Sequence, residues 1–583
     1  MTAVRLFVFL IVASNLFGQA GLFPLKDIRA GQRGTGKTVF SGNHIEDFQV
    51  EILGVLENLG PKQSIILARL SGGPLERTGV LQGMSGSPVY IDGRLVGAVA
   101  LAFSFAKEPI AGIRPIEEML AINDQRPRPK LRASVTTPVA RLQEFVPKAE
   151  PVAGGLMEIA TPVSFSGFTS ATLDQFAPQL KKLGLEPAQG VSSGGPLPSR
   201  MGNPDELHPG DMITVQLLSG DMSIGAEGTV TQVDGKRIYA FGHRFLSVGE
   251  TDLPFARAEV LTLLPNLATS FKISSAREWM GAITQDRSTS IYGEVGRKAA
   301  TVPLNIALNG GTRPPYRYQM QMVNDRVLSP IIMQMAVYSA IDATERTLGM
   351  GSFVVHGQVE FQHGVPPLKL DNTYAGDFNA PLQASLGIAS PLAFVMASGF
   401  DALKIHDIDL SISASENKRV LQIDQVTASP KEVRPGGRVD LAITLSGENG
   451  VELLRTISYD VPVGAPAGPL QFTVSDAPSA NSFEYQQLVT TQPKSPAQVI
   501  SFLNNLRPNT NAYVRVWRND PAFQVQGADL PDPPPSVALI LGRAQAAQQG
   551  ALIAHGSTID ELQLNAGDAV ITGTKTIQVD VKE

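Results

Sequence analysis

The segment Gly83-Met84-Ser85-Gly86-Ser87-Pro88 is where residue types and spacing come closest to a reaction centre. Small residues flank Ser85 and permit a tight turn that leaves its hydroxyl bare. An apolar run over 89–91 follows at once, then Asp92-Gly93 as a hairpin turn, then a second strand over 95–101. A hydroxyl presented on such a turn can attack a carbonyl, while the N–H groups of Gly83 and Ser85 hold the oxyanion. The same letters also make a purely structural turn, and Ser87 is the neighbouring rival nucleophile. A second pattern, Gly31-Gln-Arg-Gly-Thr-Gly-Lys-Thr38, fits the phosphate-loop spacing. That chemistry requires a buried strand before the loop and a helix after it. Here a β-type run, Val39-Phe40-Ser41-Gly42, follows, so no nucleotide is expected and Lys37 is not read as a phosphate ligand.

The elements that must position these residues are short. The chain has 583 residues, enough for several domains with their own cores, and its 55 glycines and 42 prolines favour turns and strands over long helices. A net charge of −6 offers no basic field for nucleic acid or an anionic membrane. With no cysteine, disulfides, thiolate metal sites and a cysteine nucleophile are excluded. Arg5, the apolar run 6–12 and Gly18-Gln19-Ala20 read as a signal peptide over 1–20, which implies export to the periplasm or the outside of the cell. The uncharged stretch from Pro381 to Ser398 is interrupted by Pro391 and reads as a buried helix pair, not a membrane span, so the mature chain is expected to have no transmembrane segment.

Five parts follow. After the signal peptide, residues 21–123 form a β-rich unit carrying Ser85, closed by a helix near 115–122. A basic Pro-rich connector covers 123–132. A second β-rich unit with helices, 133–400, contains helical patterns at 171–183 and 330–348 and a regular hairpin turning at Asp234-Gly235. Alternating strands over 402–480 read as an immunoglobulin-like β-sandwich, a candidate surface for a protein partner, and 481–583 is an α+β segment.

The stretch from Phe48-Gln-Val-Glu-Ile-Leu53 through Gly83–Pro88 to Gly97-Ala-Val-Ala100 resembles the SpoIVB peptidase (S55) domain, a branch of the chymotrypsin-like serine peptidases. The resemblance implies a mainly β fold with chymotrypsin-like β-barrel units, Ser85 as nucleophile, and Gly83 and Ser85 as oxyanion donors. Ile238-Tyr-Ala-Phe-Gly-His-Arg-Phe245 resembles the family's Gly-His segment and makes His243 the candidate base; His44, nearer Ser85 in the chain, is its rival. Serine precedes histidine here, whereas the family runs in the opposite order, so the segments look permuted; a triad is defined by geometry, not chain order. The aspartate expected before the nucleophile is missing from Ala68–Leu75, which leaves Asp286 and Asp252 as candidate acids, each equally a turn residue, with a dyad assisted by backbone or water as the alternative. No two histidines have the His-x-x-x-His spacing, so neither metal nor cofactor is expected. These readings imply an exported serine endopeptidase acting on a restricted protein or peptide substrate. The alternative is a non-catalytic periplasmic binding or scaffold protein that keeps the fold.

Overall fold

The computed structural model describes residues 21–121 and 156–583, apart from 61, 104–105, 160, 184, 190–199, 268–269, 311–314, 345–350, 363, 378, 492, 494, 519–521, 526–527, 532–533, 547–550 and 555–556. The signal-peptide reading, the Pro-rich connector, His363 and His555 lie outside the described residues.

The chain is mainly β, and its first strands close on themselves. They are β1 (Arg33–Ser41), β2 (His44–Gly60), β3 (Gln63–Ser71), β4 (Pro88–Ile91), β5 (Arg94–Phe103) and β6 (Ile110–Pro115). Their order is β4-β1-β2-β3-β6-β5, and β5 pairs back to β4, so six antiparallel strands make a closed barrel. Phe48, Val50, Ile52, Ile66, Leu70, Val89, Val96 and Ile113 alternate inward to fill it. The β4–β5 hairpin turns where expected, with Asp92 and Gly93 both at positive φ. β7 (Leu156–Glu158) adds to β5. α1 (Leu75–Thr78) precedes the Ser85 turn, and α2 (Ile116–Leu120) closes the unit.

A second ring follows the same plan. After β8 (Thr161–Ser166), α3 (Ser170–Lys182) and β9 (Leu185–Gln189) come β10 (Met212–Gly220), β11 (Ser223–Asp234), β12 (Arg237–Ala240), β13 (Gly249–Leu264), β14 (Phe271–Arg287) and β15 (Ser290–Val295). Antiparallel pairs run β10-β13-β14-β15-β12-β11 and return to β10, closing a second six-stranded barrel.

Its sheet continues outward through β17 (Tyr316–Val323) and β16 (Thr301–Gly310), on which α4 (Leu328–Thr344) packs, to β18 (Gly351–Phe361) and β21 (Ile405–Ser415), with β19 (Leu368–Lys369) and β20 (Asn372–Gly376) on β18. The strand at 405–415 thus belongs to this sheet, pairing parallel with β16, and not to the C-terminal sandwich where its alternation had placed it. α5 (Ala380–Ala397) runs through Pro391 as one helix, where a broken pair was expected. The lost N–H bond costs ~3 kcal/mol. Burial of Ile388, Leu392 and Val395 beside α4 offsets it. By length and composition α5 could cross a membrane, but 56% of it is buried inside the protein, as in a core helix.

The C-terminal body is two sheets, one of four strands and one of five, around a shared apolar core that includes Ile423, Leu441, Phe472, Val514 and Val579. The strands at Asn511–Arg518, Ser557–Asn565, Val570–Thr572 and Thr574–Val581 return to it, whereas the helix Pro496–Asn504 packs on the core of the second unit and the strands Ala522–Val525, Ala528–Pro531 and Ala551–Ala554 pair as a small sheet of their own, so 481–583 is shared among bodies and is not one segment.

Candidate active site

Ser85 sits in the turn between α1 and β4. Gly83 and Gly86 both have positive φ (89° and 96°), the left-handed conformation that side chains resist. Met84, between them in register, is fully buried in the first barrel's core and anchors the turn. Met84 N–H donates to Leu81 O, Ser87 N–H to Met84 O at 2.9 Å and Gly86 N–H to Val99 O at 2.8 Å. The N–H groups of Gly83 and Ser85 find no acceptor among the described residues. Those are the two donors the sequence assigned to an oxyanion.

The other barrel holds the outside of this turn. Thr229 N–H donates to Ser85 O at 2.8 Å, Thr229 Oγ1–H to Gly83 O at 2.8 Å and Thr231 Oγ1–H to Gly86 O at 2.7 Å. Residues 229 and 231 share one face of β11, so the strand's two-residue period sets the spacing of these hydroxyls. Gln82 joins β14 through Ser270 O and Lys272 N–H. Gly86 packs so tightly that a Cβ would lie 1.9 Å from Thr229 O and 2.6 Å from Phe241 N.

That contact brings in the Gly-His segment. Phe241 has φ 70°, and Gly242 N–H bonds back to Ala240 O at 2.9 Å, a strained three-residue turn. Gly242 lies against β5, where a Cβ would meet Ala98 and Ala100 at 3.1 and 3.2 Å. Its carbonyl accepts from Arg114 Nε–H at 3.4 Å, and Arg114 also pairs with Glu118 at 3.3 Å. Each barrel therefore grips the loop that carries the other's candidate residue. His243 Nδ1 lies 2.6 Å from Arg244 O. A carbonyl only accepts, so Nδ1 carries a proton; in the neutral ring that leaves the lone pair on Nε2, the tautomer a general base needs. Ser85 and His243 are 0% and 1% exposed, and Ser85 Oγ makes no hydrogen bond among the described residues, to the His243 ring included. The two segments meet at one seam, where both side chains are buried.

The candidate acids have partners of their own. Asp286 accepts from Phe245 N–H (2.8 Å), Leu246 N–H (2.6 Å) and Val248 N–H (3.3 Å), so it shapes the loop after His243 while the ring turns to Arg244 O. Burial pushes the Asp286 carboxyl up from its ordinary value, and the N–H bonds pull it back part of the way. Asp252 accepts from Ala300 N–H at 2.9 Å and faces Arg297 at 3.4 Å. His44 is exposed at the start of β2, whereas His243 is buried. Most of Gly31–Thr38 runs into β1: Gly34 faces Tyr90 O, and Gly36 lies under the Phe48 ring, where a Cβ would sit 2.1 Å away. Among the described residues no cluster of His, Asp and Glu is arranged to hold a metal.

Sequence reasoning missed a buried polar layer behind the turn. Lys272 Nζ donates to Thr38 Oγ1 at 2.7 Å, and Ser87 Oγ–H donates to the same oxygen at 3.0 Å. Ser87 is thus engaged in this layer. Glu227, on the face of β11 that carries Thr229, accepts from Ser164 Oγ–H at 2.7 Å. Burial raises Glu227 to about 7 and lowers Lys272 to about 7, each partly countered by the other's charge. The only signal available was a polar residue every second position along β11, which reads equally as a solvated face.

Residues 24–120 match the family model described as SpoIVB peptidase S55. The matched segment takes in the first barrel with the Ser85 turn, and the resemblance read from Gly83–Pro88 holds there. No curated protein and no solved structure gives a match.

Proposed function

We propose that this chain is an exported serine peptidase of the S55 kind, cleaving peptide bonds in a restricted protein substrate. Ser85 Oγ attacks the scissile carbonyl, its proton passes to His243 Nε2 and then to the leaving amine, and water releases the acyl group. The observation that carries this reading is the pair of N–H groups on Gly83 and Ser85, without acceptors among the described residues and beside a buried hydroxyl. An oxyanion donor of that kind is worth roughly 3–4 kcal/mol in the transition state. The serine lies on the first barrel and the histidine on the second, the order a permuted arrangement would give. Export follows from the reading of residues 1–20.

Because Ser85 is sealed at the seam, substrate entry requires the barrels to part locally, which suits regulated cleavage better than digestion. The same burial favours the second reading, a non-catalytic scaffold that kept the barrels. A fluorophosphonate probe on the full chain separates them. Labelling on Ser85 that vanishes in Ser85→Ala and falls sharply in His243→Ala supports the peptidase. A folded wild-type protein that stays unlabelled, also under mild denaturant that loosens the seam, supports the scaffold.

A further inference from the structure

We propose that Lys272 is a positioning residue for Ser85, a single side chain from the second barrel that braces both ends of the nucleophile turn. The inference rests on the reading of Ser85 as nucleophile. At the near end, the Lys272 stem lies along Gly83: a Cβ on that glycine would meet Lys272 Cδ at 3.3 Å and Cβ at 3.5 Å. At the far end, Nζ donates to Thr38 Oγ1, which also accepts from Ser87 Oγ–H. The turn from Gly83 to Ser87 is therefore spanned by one lysine and one threonine hydroxyl, while Thr229 and Thr231 hold its Gly83 and Gly86 carbonyls.

Lys272 is fully buried, so this brace is not a solvated charge that happens to lie nearby. A buried ammonium is expensive unless it has partners. Glu227 on β11 and Glu46 on β2 are the charges that act on it. The other groups packed on it, Thr38 and Phe40 from β1 and Gly83 from the turn, are uncharged. A charge-assisted bond to Thr38 is stronger than the same bond from a neutral amine, so the brace slackens as Lys272 loses its proton.

The test uses the full chain and two readouts. Fluorophosphonate labelling of Ser85 is followed across pH in wild type and Lys272→Met, a variant that keeps the stem against Gly83 and removes the ammonium. Labelling in the variant is expected to slow by about tenfold or more at saturating probe, with probe affinity little changed, the scale of one charge-assisted bond. The wild-type rate is expected to fall on the alkaline side of neutrality, and Lys272→Met to lose that limb. Equal rates and profiles in the two proteins overturn the proposal. Amide exchange over 81–88, measured in parallel, answers even where wild type does not label, a result that would sink the peptidase reading on its own. Faster exchange there in Lys272→Met, with 405–415 unchanged, supports the brace, and unchanged exchange over 81–88 overturns it. Should Lys272→Met fail to fold, Thr38→Val and Thr38→Ser carry the same comparison: valine is expected to loosen the turn and serine to restore it, and equal exchange in the two overturns the proposal.

Discussion

The N–H of Thr229 and the carbonyl oxygen of Ser85 are 2.8 Å apart, and that bond ties the candidate nucleophile of one barrel to a strand of the other. Thr229 also turns its carbonyl toward Gly86 and accepts from Phe241 N–H at 3.3 Å. One residue of β11 therefore touches both the serine turn and the histidine segment. The site is a property of the junction, because neither barrel alone holds its own loop.

Gly86 is the tightest point of that junction. Gly86→Ala must displace the Thr229 carbonyl and adopt a positive φ, and the combination is expected to cost more than about 3 kcal/mol. Gly235→Ala is the matched control: its φ is 59°, but nothing lies within 4 Å of the added carbon. It is expected to cost only about 1 kcal/mol of backbone strain. Urea unfolding of the two variants measures the difference, and equal losses would mean that the close approach at Gly86 relaxes freely.

Asp286 acts on His243 at one remove. Its oxygens hold the Phe245, Leu246 and Val248 N–H groups, and so fix the loop whose Arg244 carbonyl receives the His243 ring proton. Asp286→Asn keeps the shape but turns an NH2 toward backbone donors. Labelling of Ser85 is expected to fall by about tenfold or more, the scale of one lost charged hydrogen bond. Asp252→Asn, whose partners are Ala300 and Arg297, is expected to leave the rate within about twofold. Comparison of the two labelling rates separates a carboxylate that shapes the histidine loop from one that only secures a turn.

Much of this was legible along the chain. The glycines around Ser85, the Asp92-Gly93 and Asp234-Gly235 turns and the helix at 170–182 are local signals, and local φ preferences and helical spacing fix them. What stayed hidden depends on distant pairing. Thr229 and Gly83 lie 146 positions apart, and Lys272 and Thr38 lie 234 apart. Threonine, lysine and glutamate on strands look solvated until a second barrel covers that face. The strand at 405–415 alternates like a sandwich strand, and only its parallel partner β16 assigns it elsewhere. Asp286 was visible as a carboxylate, but its use of both oxygens on backbone N–H groups depends on the loop conformation, with Phe241 and Ser247 at positive φ.

Arg114 links the first barrel to the residue before His243, and it is buried while its partner Glu118 is part-buried. Removing one member of such a pair strands the other charge. Arg114→Met is expected to cost about 3–5 kcal/mol. Arg114→Met with Glu118→Met together is expected to recover a large part of that loss, because neither charge is then left buried. A double-mutant cycle by denaturant unfolding reads the coupling. A double variant as unstable as the sum of the singles would show that the pair is not what Arg114 contributes.

Glu227 and Lys272 make a pH signature of the seam. Glu227 is raised from 4.5 to about 7, so between those values the folded chain holds a proton that the unfolded chain has released, and stability falls as pH rises. Lys272 is lowered from 10.5 to about 7, so between those values the unfolded chain holds the extra proton, and stability rises with pH. The two contributions have opposite slopes that meet near neutrality, where both buried charges are carried. The stability difference between wild type and the Glu227→Gln/Lys272→Met double variant is expected to be least favourable to wild type near pH 7 and to improve on either side. Urea unfolding at about pH 5, 7 and 9 measures it, and subtracting the variant removes the titration of every group the two proteins share. A flat difference across that range would mean that these two side chains are hydrated, and that the layer behind Ser85 is open to water.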